Sequence, residues 1–184
     1  MADGIKVNEG SGPEVDTIDR GGAIGHQQVT VRDRGMRSYF TTLTIQAAAY
    51  SSGDVIGGVF EVPNVVRYPG GTGLITNLIA ILGENPGSSL DSFLFGDNPS
   101  ASTLVDKTAP VIAAADRPKL VAQVGSLFSV SRGGTTFFNY VPDNWNLAVP
   151  FVCTGTSLWL VLFVNNAVTL TTTQMHVRLY WEAA

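Results

Sequence analysis

The sequence predicts an all-β protein, an antiparallel sandwich or barrel of about nine or ten short strands. Residues 74–83 and 157–164 are apolar on both alternating faces, which is typical of strands that have neither face in water. Residues 173–182 alternate apolar and polar side chains, as a half-buried strand does. Clusters of Gly, Pro, Asn, Asp and Ser separate these segments at short intervals and predict turns.

The amino-acid composition of the chain narrows the classes of molecule that it can be expected to bind. The chain has 184 residues, enough for one domain with a full core, and only 14% of them are charged, against about 25% in typical soluble domains. A surface this poor in charge indicates that part of it is covered, often by a copy of the same chain. The net charge of −4, with 11 basic residues that do not cluster, argues against nucleic acid as a partner. The apolar runs are shorter than the about 20 residues of a membrane span, so no membrane partner is expected.

The N-terminal region does not have the pattern of a packed strand. Residues 1–25 combine six Gly, one Pro and scattered acids, so we predict an extended N-terminal arm, followed by a sandwich domain over residues 26–184. A disordered tail is the alternative. Residues 1–12 contain no apolar segment of a signal peptide, which predicts synthesis in the cytoplasm. Isolated apolar side chains along the arm are candidate contacts with a neighbouring surface: Ile5, Val7, Val15 and Ile18.

The first predicted strands come directly after the N-terminal arm. Residues 26–34 predict a short polar strand at a sheet edge, and residues 39–46 alternate with one clear inward face. A Ser-Ser-Gly-Asp turn at residues 51–54 precedes a strand that ends before Pro63. Within that β-like run, Gly57 and Gly58 predict a bulge or a close approach of another backbone.

Two segments in the middle of the chain can be read as helix. Residues 74–83 have helical spacing as an alternative, but the run is short and bounded by Gly, and Thr76 and Asn77 disfavour a helix interior, so a strand is preferred. Residues 108–116 carry the single helical signal, with Pro110 in the first turn and Pro118 after the end. We therefore predict one short helix there. Further strands are predicted at residues 90–95, 120–131, 135–141 and 147–153.

The C-terminal strands predict a closing hairpin. Asn165, Asn166 and Ala167 form a corner between the doubly apolar segment 157–164 and the alternating segment 173–182. The alternating segment directs one set of side chains to the core: Met175, Val177, Leu179 and Trp181.

No catalytic constellation is present in the sequence. His26 and His176 have no carboxylate or Cys at ligand spacing, and the Gly-rich residues 70–73 lack the following Lys of a phosphate loop. Cys153 is alone, so no intramolecular disulfide can form. Carboxylate pairs are interpreted as solvated loop acids: Asp91 with Asp97, and Asp54 with Glu61. We expect no enzyme activity, no cofactor and no bound metal.

One polar loop carries aromatic side chains that could stack on a sugar. Trp145 and Tyr140 flank it, with Asn144 between them. The alternative interpretation is that Trp145 fills the end of the sandwich.

Several motifs resemble a family of small structural proteins of tailed bacteriophages. Residues 49–58 read A-Y-S-S-G-D-V-I-G-G and are followed by the Gly-rich loop 70–73 and an apolar strand to Leu82. The similarity extends to the D-R-G-G-A-I-G-H-Q-Q-V lead-in at residues 19–29, and to a Pro-containing loop with an Asp at residues 99–106. Residues 30–35 depart from the Lys and Gly-x-Asp-Gly turn that related chains often have.

The resemblance implies a jelly-roll-like β-sandwich carried on the virion, as a decoration (cement) protein of the capsid. It implies a non-enzymatic homo-oligomer, with a trimer favoured and a dimer as the alternative, that clamps neighbouring subunits of the phage major capsid protein. In that role the arm side chains Ile5, Val7, Val15 and Ile18 would contact the capsid. The alternative function is a glycan- or receptor-binding β-sandwich of a phage tail or fibre, with Tyr140, Asn144 and Trp145 at its site.

Overall fold

A computed structural model describes residues 35–84, 87–132, 135–140 and 149–183. The predicted boundary between residues 25 and 26 and the predicted strand at residues 26–34 lie outside this range. The described residues form an all-β fold, as predicted. Its strands are β1 (Met36–Thr44), β2 (Ala49–Tyr50), β3 (Val55–Val62), β4 (Thr72–Leu82), β5 (Leu90–Phe95), β6 (Leu120–Arg132), β7 (Thr135–Tyr140), β8 (Val149–Val152), β9 (Leu158–Val164), β10 (Val168–Thr169) and β11 (Gln174–Ala183).

The strands form two antiparallel sheets that share β6. In the first, called sheet I, the order is β1-β11-β4-β7-β6, and β8 pairs with β4 beyond the end of β7. In the second, sheet II, the order is β6-β5-β9-β3. The first half of β6 pairs with β5 up to Leu127, and the second half pairs with β7 from Phe128 onward. The short strands β2 and β10 pair only with each other. This arrangement confirms an antiparallel β-sandwich of the jelly-roll-like class.

The core lies between the two sheets. Sheet I directs Met175, Val177, Leu179 and Trp181 of β11 inward, each at most 4% exposed, so the predicted inward face of this strand is confirmed. Sheet II contributes the facing side chains Leu158, Leu160, Leu162 and Val164 of β9. Alternation along the strand is sufficient to separate the two faces because successive side chains point to opposite sides.

The second face of β9 is buried as well. Val161 and Phe163 pack against Phe95 and Leu104 in a separate apolar cluster on the other side of sheet II. Leu104 belongs to the connection between β5 and β6, which covers that side of the sheet. Apart from the partly buried Trp159, the apolar residues of β9 are buried on both faces, as predicted.

Strand β4 is confirmed as a strand, but only one of its faces is fully buried. Opposite β11, Trp181 pairs with Ile75 while Tyr180 pairs with Asn77, so Thr76 is the extra residue of a β-bulge. The bulge shifts the inward position from Ile75 to Leu78, which makes both alternating faces look apolar in the sequence. Leu74, on the other face, is 42% exposed.

The predicted helix at residues 108–116 is wrong. Val111 instead forms a bridge with Thr103 through two backbone hydrogen bonds of 2.9 Å, and the Ala113 N–H donates to the Ser102 hydroxyl. These tertiary hydrogen bonds replace the ones that a helix would make. A single 3-10 turn follows at Arg117–Lys119, with Pro118 in its first turn. In the described part of the chain, no helix has the length and apolar character needed to cross a membrane.

The predicted C-terminal hairpin is also wrong. Strands β9 and β11 lie in different sheets, since β9 pairs with β3 and β5 while β11 pairs with β1 and β4. The connection between them carries β10 and is anchored on both sides. Asn165 donates from its side chain to Asp91, and the backbone N–H groups of Thr171 and Thr172 donate to Glu84. Residues 165–173 are thus a crossover between sheets rather than a tight turn.

Candidate interaction surface

The outer side of sheet I presents a regular array of side chains. Antiparallel pairing places residues of β1, β11 and β4 in rows across the sheet, and paired residues point to the same side. We call this array the outer face. Its members are Met36, Ser38, Phe40 and Thr42 of β1, His176, Arg178, Tyr180 and Glu182 of β11, and Leu74, Asn77, Ile79 and Ile81 of β4.

The outer face mixes polar side chains with large apolar ones, and several of the apolar ones are exposed. Met36 is 67% exposed, Phe40 51% and Leu74 42%. The apolar character continues onto β8, where Val152 lies opposite Thr72 of β4 and, with Leu120, lines a shallow groove. Single exposed apolar side chains are common on soluble proteins, but a contiguous group of them marks an interaction surface.

Contacts between neighbouring strands hold Phe40 in place. Its ring stacks on His176, with centroids 5.7 Å apart and an interplanar angle of 23°. On the same ring, the guanidinium carbon of Arg178 lies 5.3 Å from the centroid. Arg178 also donates to the Tyr180 hydroxyl at 3.4 Å, and the Thr42 hydroxyl lies 2.9 Å from Nδ1 of His176. A surface held by such contacts loses little side-chain freedom when it binds a partner.

The outer face carries one cation and one anion on β11, Arg178 and Glu182. They are four residues apart on one strand, which corresponds to about 13 Å, too far for an ion pair within one copy. Among the described residues, no carboxylate forms an ion pair with Arg178, whose guanidinium contacts the ring of Phe40 and the hydroxyl of Tyr180. Both charges are therefore available to a partner.

A different polar cluster, centred on Asp106, joins three parts of the chain. Its Oδ1 accepts hydrogen bonds from the Tyr50 hydroxyl at 2.9 Å and from the Gly57 N–H at 2.7 Å. Its Oδ2 accepts one from the Gln46 N–H at 2.9 Å. Burial raises the pKa of the Tyr50 phenol above its ordinary value, so this side chain stays protonated and donates to Asp106.

The bulge predicted at Gly57 and Gly58 is confirmed. The pairing of β3 with β9 skips from Ile56 to Val59, and both glycines have positive φ, +76° and +75°. A Cβ at position 57 would lie 2.9 Å from Cδ1 of Leu43, so a side chain approaches this glycine closely, rather than the backbone that the alternative interpretation expected. The bulge turns the Gly57 N–H toward Asp106, which explains why the Gly-Gly pair and the distant Asp belong to one structural unit.

Asp116 forms a second buried carboxylate cluster in the connection between β5 and β6. It is 0% exposed, and Nζ of Lys119 lies 2.9 Å from its Oδ1. Its Oδ2 accepts hydrogen bonds from the Ser102 hydroxyl at 2.7 Å and from the Ala101 N–H at 2.9 Å. The hydrogen bond from Lys119, followed by the one from Ser102, lowers the pKa of Asp116. The cluster is a structural anchor for the segment that covers sheet II.

Most residues predicted to form a site lie outside the described range. This holds for the arm side chains Ile5, Val7, Val15 and Ile18 and for Asn144 and Trp145 of the glycan-stacking alternative. The structure places Tyr140 at the end of β7, where it pairs with Leu78 of β4. Both sets of residues remain predictions.

The acidic pairs that were interpreted as solvated loop acids have structural partners, and Asp54 is buried. Asp54 accepts a hydrogen bond from the Ser51 N–H within the predicted turn, and Glu61 accepts one from the Ser157 hydroxyl. Asp91 accepts one from Asn165, and Asp97 lies 4.0 Å from Nζ of Lys119. The described residues contain no group of three or more His, Cys, Asp or Glu side chains that could hold a metal ion.

The sequence analysis did not identify the outer face or the role of Asp106. One signal was available for the face, because the inward alternation of β1 leaves the large aromatic Phe40 pointing outward. For Asp106 no local signal exists, since its partners Gln46, Tyr50 and Gly57 are about 50 to 60 residues away.

Comparison with known proteins gives a weak structural similarity and no sequence family. No protein-family profile and no curated protein matches the chain. Among solved structures, the chain is similar to one described as the structure of infectious bursal disease virus Gx strain, with a TM-score of 0.28 and 15% identity. The match covers 93% of this chain but only 42% of the other, so this chain spans less than half of its length. The similarity is too low to indicate a shared function.

Proposed function

We propose that this protein is a non-enzymatic structural protein of a virion, which decorates a bacteriophage capsid and stabilises it by clamping neighbouring major capsid subunits. The observation that carries the proposal is the outer face of sheet I, where Met36, Phe40 and Leu74 are exposed on a packed sandwich. A protein of this kind needs a stiff body and surfaces for its neighbours rather than a catalytic pocket. The low charge of the chain, 14% of residues, is in keeping with a surface that is covered in an assembly.

The resemblance to phage structural proteins gains support from what its motif residues do. In residues 49–58, Tyr50 binds Asp106, Asp54 closes the turn at Ser51, and Gly57 forms the bulge that also binds Asp106. The motif and the distant Asp therefore specify one junction of the fold. A resemblance in residues that hold such a junction supports the proposal more than a resemblance in composition would.

Attachment to the capsid is assigned to the N-terminal arm as well as to the sandwich. Burying the side chains of Ile5, Val7, Val15 and Ile18 is worth at most about 1.5–3 kcal/mol each. Ordering the backbone costs about 1–2 kcal/mol per residue, so these side chains alone cannot hold residues 1–25 on a surface. The arm must also gain backbone hydrogen bonds, most simply by adding a strand to a neighbour's sheet edge. Repetition over the shell multiplies weak contacts into stable attachment.

Deletion of residues 1–25 tests this function. The truncated protein should retain the circular dichroism spectrum and melting temperature of the full chain, because the described strands begin at Met36. When mixed with undecorated capsids of the phage that encodes it, it should show greatly reduced occupancy. A full-length variant with Ser at positions 5, 7, 15 and 18 is the matched control for chain length. Undiminished occupancy by both proteins would show that the arm does not attach the protein.

A second measurement tests the location. Density for the sandwich should be found at the junctions of major capsid subunits on intact particles. Density on the tail, together with glycan binding that is lost in Trp145→Ala, would contradict capsid decoration and support the alternative function.

A further inference from the structure

We infer that the outer face of sheet I is a self-complementary interface that binds the same face of a second copy of this chain about a twofold axis. The inference deepens the proposed function by naming the surface and symmetry of its homo-oligomer, and rests on that function only for the setting on a capsid. It favours a dimer over the trimer that the resemblance implies.

The register of the strands carries the inference. Four rows cross β1, β11 and β4, and three adjacent ones carry the inference; the central row of these three is polar. The two outer rows differ in the sign of their charge but are otherwise alike, since each has an ionic side chain on β11 between two apolar ones. The rows are Met36–Glu182–Leu74, Ser38–Tyr180–Asn77 and Phe40–Arg178–Ile79.

A twofold axis that lies in the interface, perpendicular to the strands and over the central row, exchanges the outer rows. It reverses the strand direction, so β11 packs across β11 of the second copy in the antiparallel sense. Glu182 then faces Arg178 of the second copy, and the converse pair forms by symmetry. In the same way Met36 faces Phe40, and Leu74 faces Ile79.

The usual angle between packed sheets is compatible with this arrangement. Aligned sheets cross at about 30° because each sheet is twisted. The outer rows lie about 7 Å from the central one, so such a rotation displaces them by about 3–4 Å. The length of an arginine side chain can accommodate this displacement.

Charge complementarity distinguishes a second copy from an unspecified apolar partner. Within one copy Arg178 and Glu182 are about 13 Å apart and cannot pair. In the twofold pair each finds an opposite charge, flanked by apolar contacts that exclude water. The charges of Arg178 and Glu182 therefore cancel on each face, and each charge is paired when the same face of two copies meets, as an isologous interface requires.

The size of the face predicts how tight the dimer is. Strand β1 has nine residues, which gives a length of about 30 Å, and three strands at about 4.8 Å spacing give a width of about 15 Å. The projected area is on the order of 450 Å², below the about 800 Å² per partner of a standard interface. We expect a dimer that dissociates on dilution, with contributions from β8 and its groove at the rim.

Charge reversal tests the inference with the full-length protein. Sedimentation velocity should show a monomer–dimer equilibrium that moves toward dimer as the concentration rises from micromolar to millimolar. Arg178→Glu and Glu182→Arg should each weaken dimerisation by at least about tenfold, because each places like charges opposite one another twice. The double variant Arg178→Glu/Glu182→Arg should restore dimerisation, since it exchanges the two signs.

Arg67→Glu is the control, since Arg67 is an exposed cation on the β3–β4 loop and does not belong to the outer face. A wild-type protein that stays monomeric over the whole range would overturn the inference. So would a trimer, a dimer that ignores both single reversals, or a double variant as weak as the singles. Capsid occupancy of the same variants separates the two proposals, because loss of the dimer with undiminished decoration leaves the proposed function standing.

Discussion

Asp106 connects parts of the chain that are far apart in sequence, although it lies in a loop. Its carboxylate accepts from Gln46, Tyr50 and Gly57, so it fixes the end of β1, strand β2 and the bulge of β3 at one point. Removing a carboxylate oxygen leaves a donor without its acceptor, and such a group in a partly buried site costs about 1–3 kcal/mol.

We therefore expect Asp106→Asn to lower the free energy of unfolding by about 1–3 kcal/mol, since its amide turns a donor toward the Gln46 N–H. Tyr50→Phe, which removes only the hydroxyl, should cost about 1 kcal/mol. Urea denaturation of both variants measures these values, and Asp97→Asn at a more exposed carboxylate is the control. Wild-type stability in Asp106→Asn would show that the junction does not stabilise the fold.

The buried carboxylate of Asp116 predicts a dependence of stability on pH. The Lys119 hydrogen bond lowers its pKa in the folded protein, so the folded state binds this proton less readily than the unfolded state. The stabilisation is then fully present above the unfolded pKa of about 4 and is lost as the pH falls through the folded value.

Asp116→Asn should be less stable than the wild type at pH 7, because the ion pair with Lys119 is lost. It should also lose less stability between pH 7 and pH 3. Melting temperatures over this range check the prediction. Parallel pH profiles for the two proteins would contradict it.

At the scale of single elements, alternation along β11 allows a test of register. Val177 is 1% exposed, whereas Gln174 on the opposite face is exposed. Val177→Asp places an unpaired charge in the core and should cost several kcal/mol, while Gln174→Asp should change little. The melting temperatures of the two variants test this register. Equal melting temperatures would indicate a register one residue away from the one described.

Elements governed by local pattern were predictable from the sequence. The alternation of β11, the doubly apolar β9 and the bulge at Gly57 were each read correctly, because burial and backbone conformation leave a direct trace in residue type. The helix at residues 108–116 was not, since its helix-like residues are held by hydrogen bonds to Ser102 and Thr103 that no local pattern shows.

Features that depend on strand order were outside the reach of the sequence. Asn165 and Asn166 have the composition of a tight turn, yet the chain continues past them into the other sheet. To predict the outer face, one must know how both β1 and β4 are aligned with β11, including the extra residue Thr76 in β4. The order of strands in a sheet cannot be inferred from a single sequence, so the interaction surface could be identified only from the sheet topology.

For the whole molecule, the shared strand β6 predicts cooperative unfolding. Leu127 is 0% exposed in the core, at the point where β6 leaves β5 and begins to pair with β7. Neither sheet can be lost without unpairing one half of this strand. We expect Leu127→Ala to destabilise the protein by about 2–5 kcal/mol and to shift all probes together.

Far-UV circular dichroism and tryptophan fluorescence check this expectation. Trp159 lies in sheet II and Trp181 in sheet I, so fluorescence reports on both. The two signals should have the same denaturation midpoint in the wild type and in Leu127→Ala. Separate midpoints would show that the sheets unfold independently.

The pairing of β1 with β11 has a mechanical consequence. Met36, where β1 begins, is paired with Glu182 near the end of β11. The first and last strands of the described sandwich therefore have these two ends side by side. A force that pulls these two ends apart, perpendicular to the strands, breaks the β1–β11 hydrogen bonds one after another and meets little resistance. A force applied along the strands must shear many bonds at once. On a shell under internal pressure, the sandwich would resist tension well only if the load enters through its faces and not through its ends.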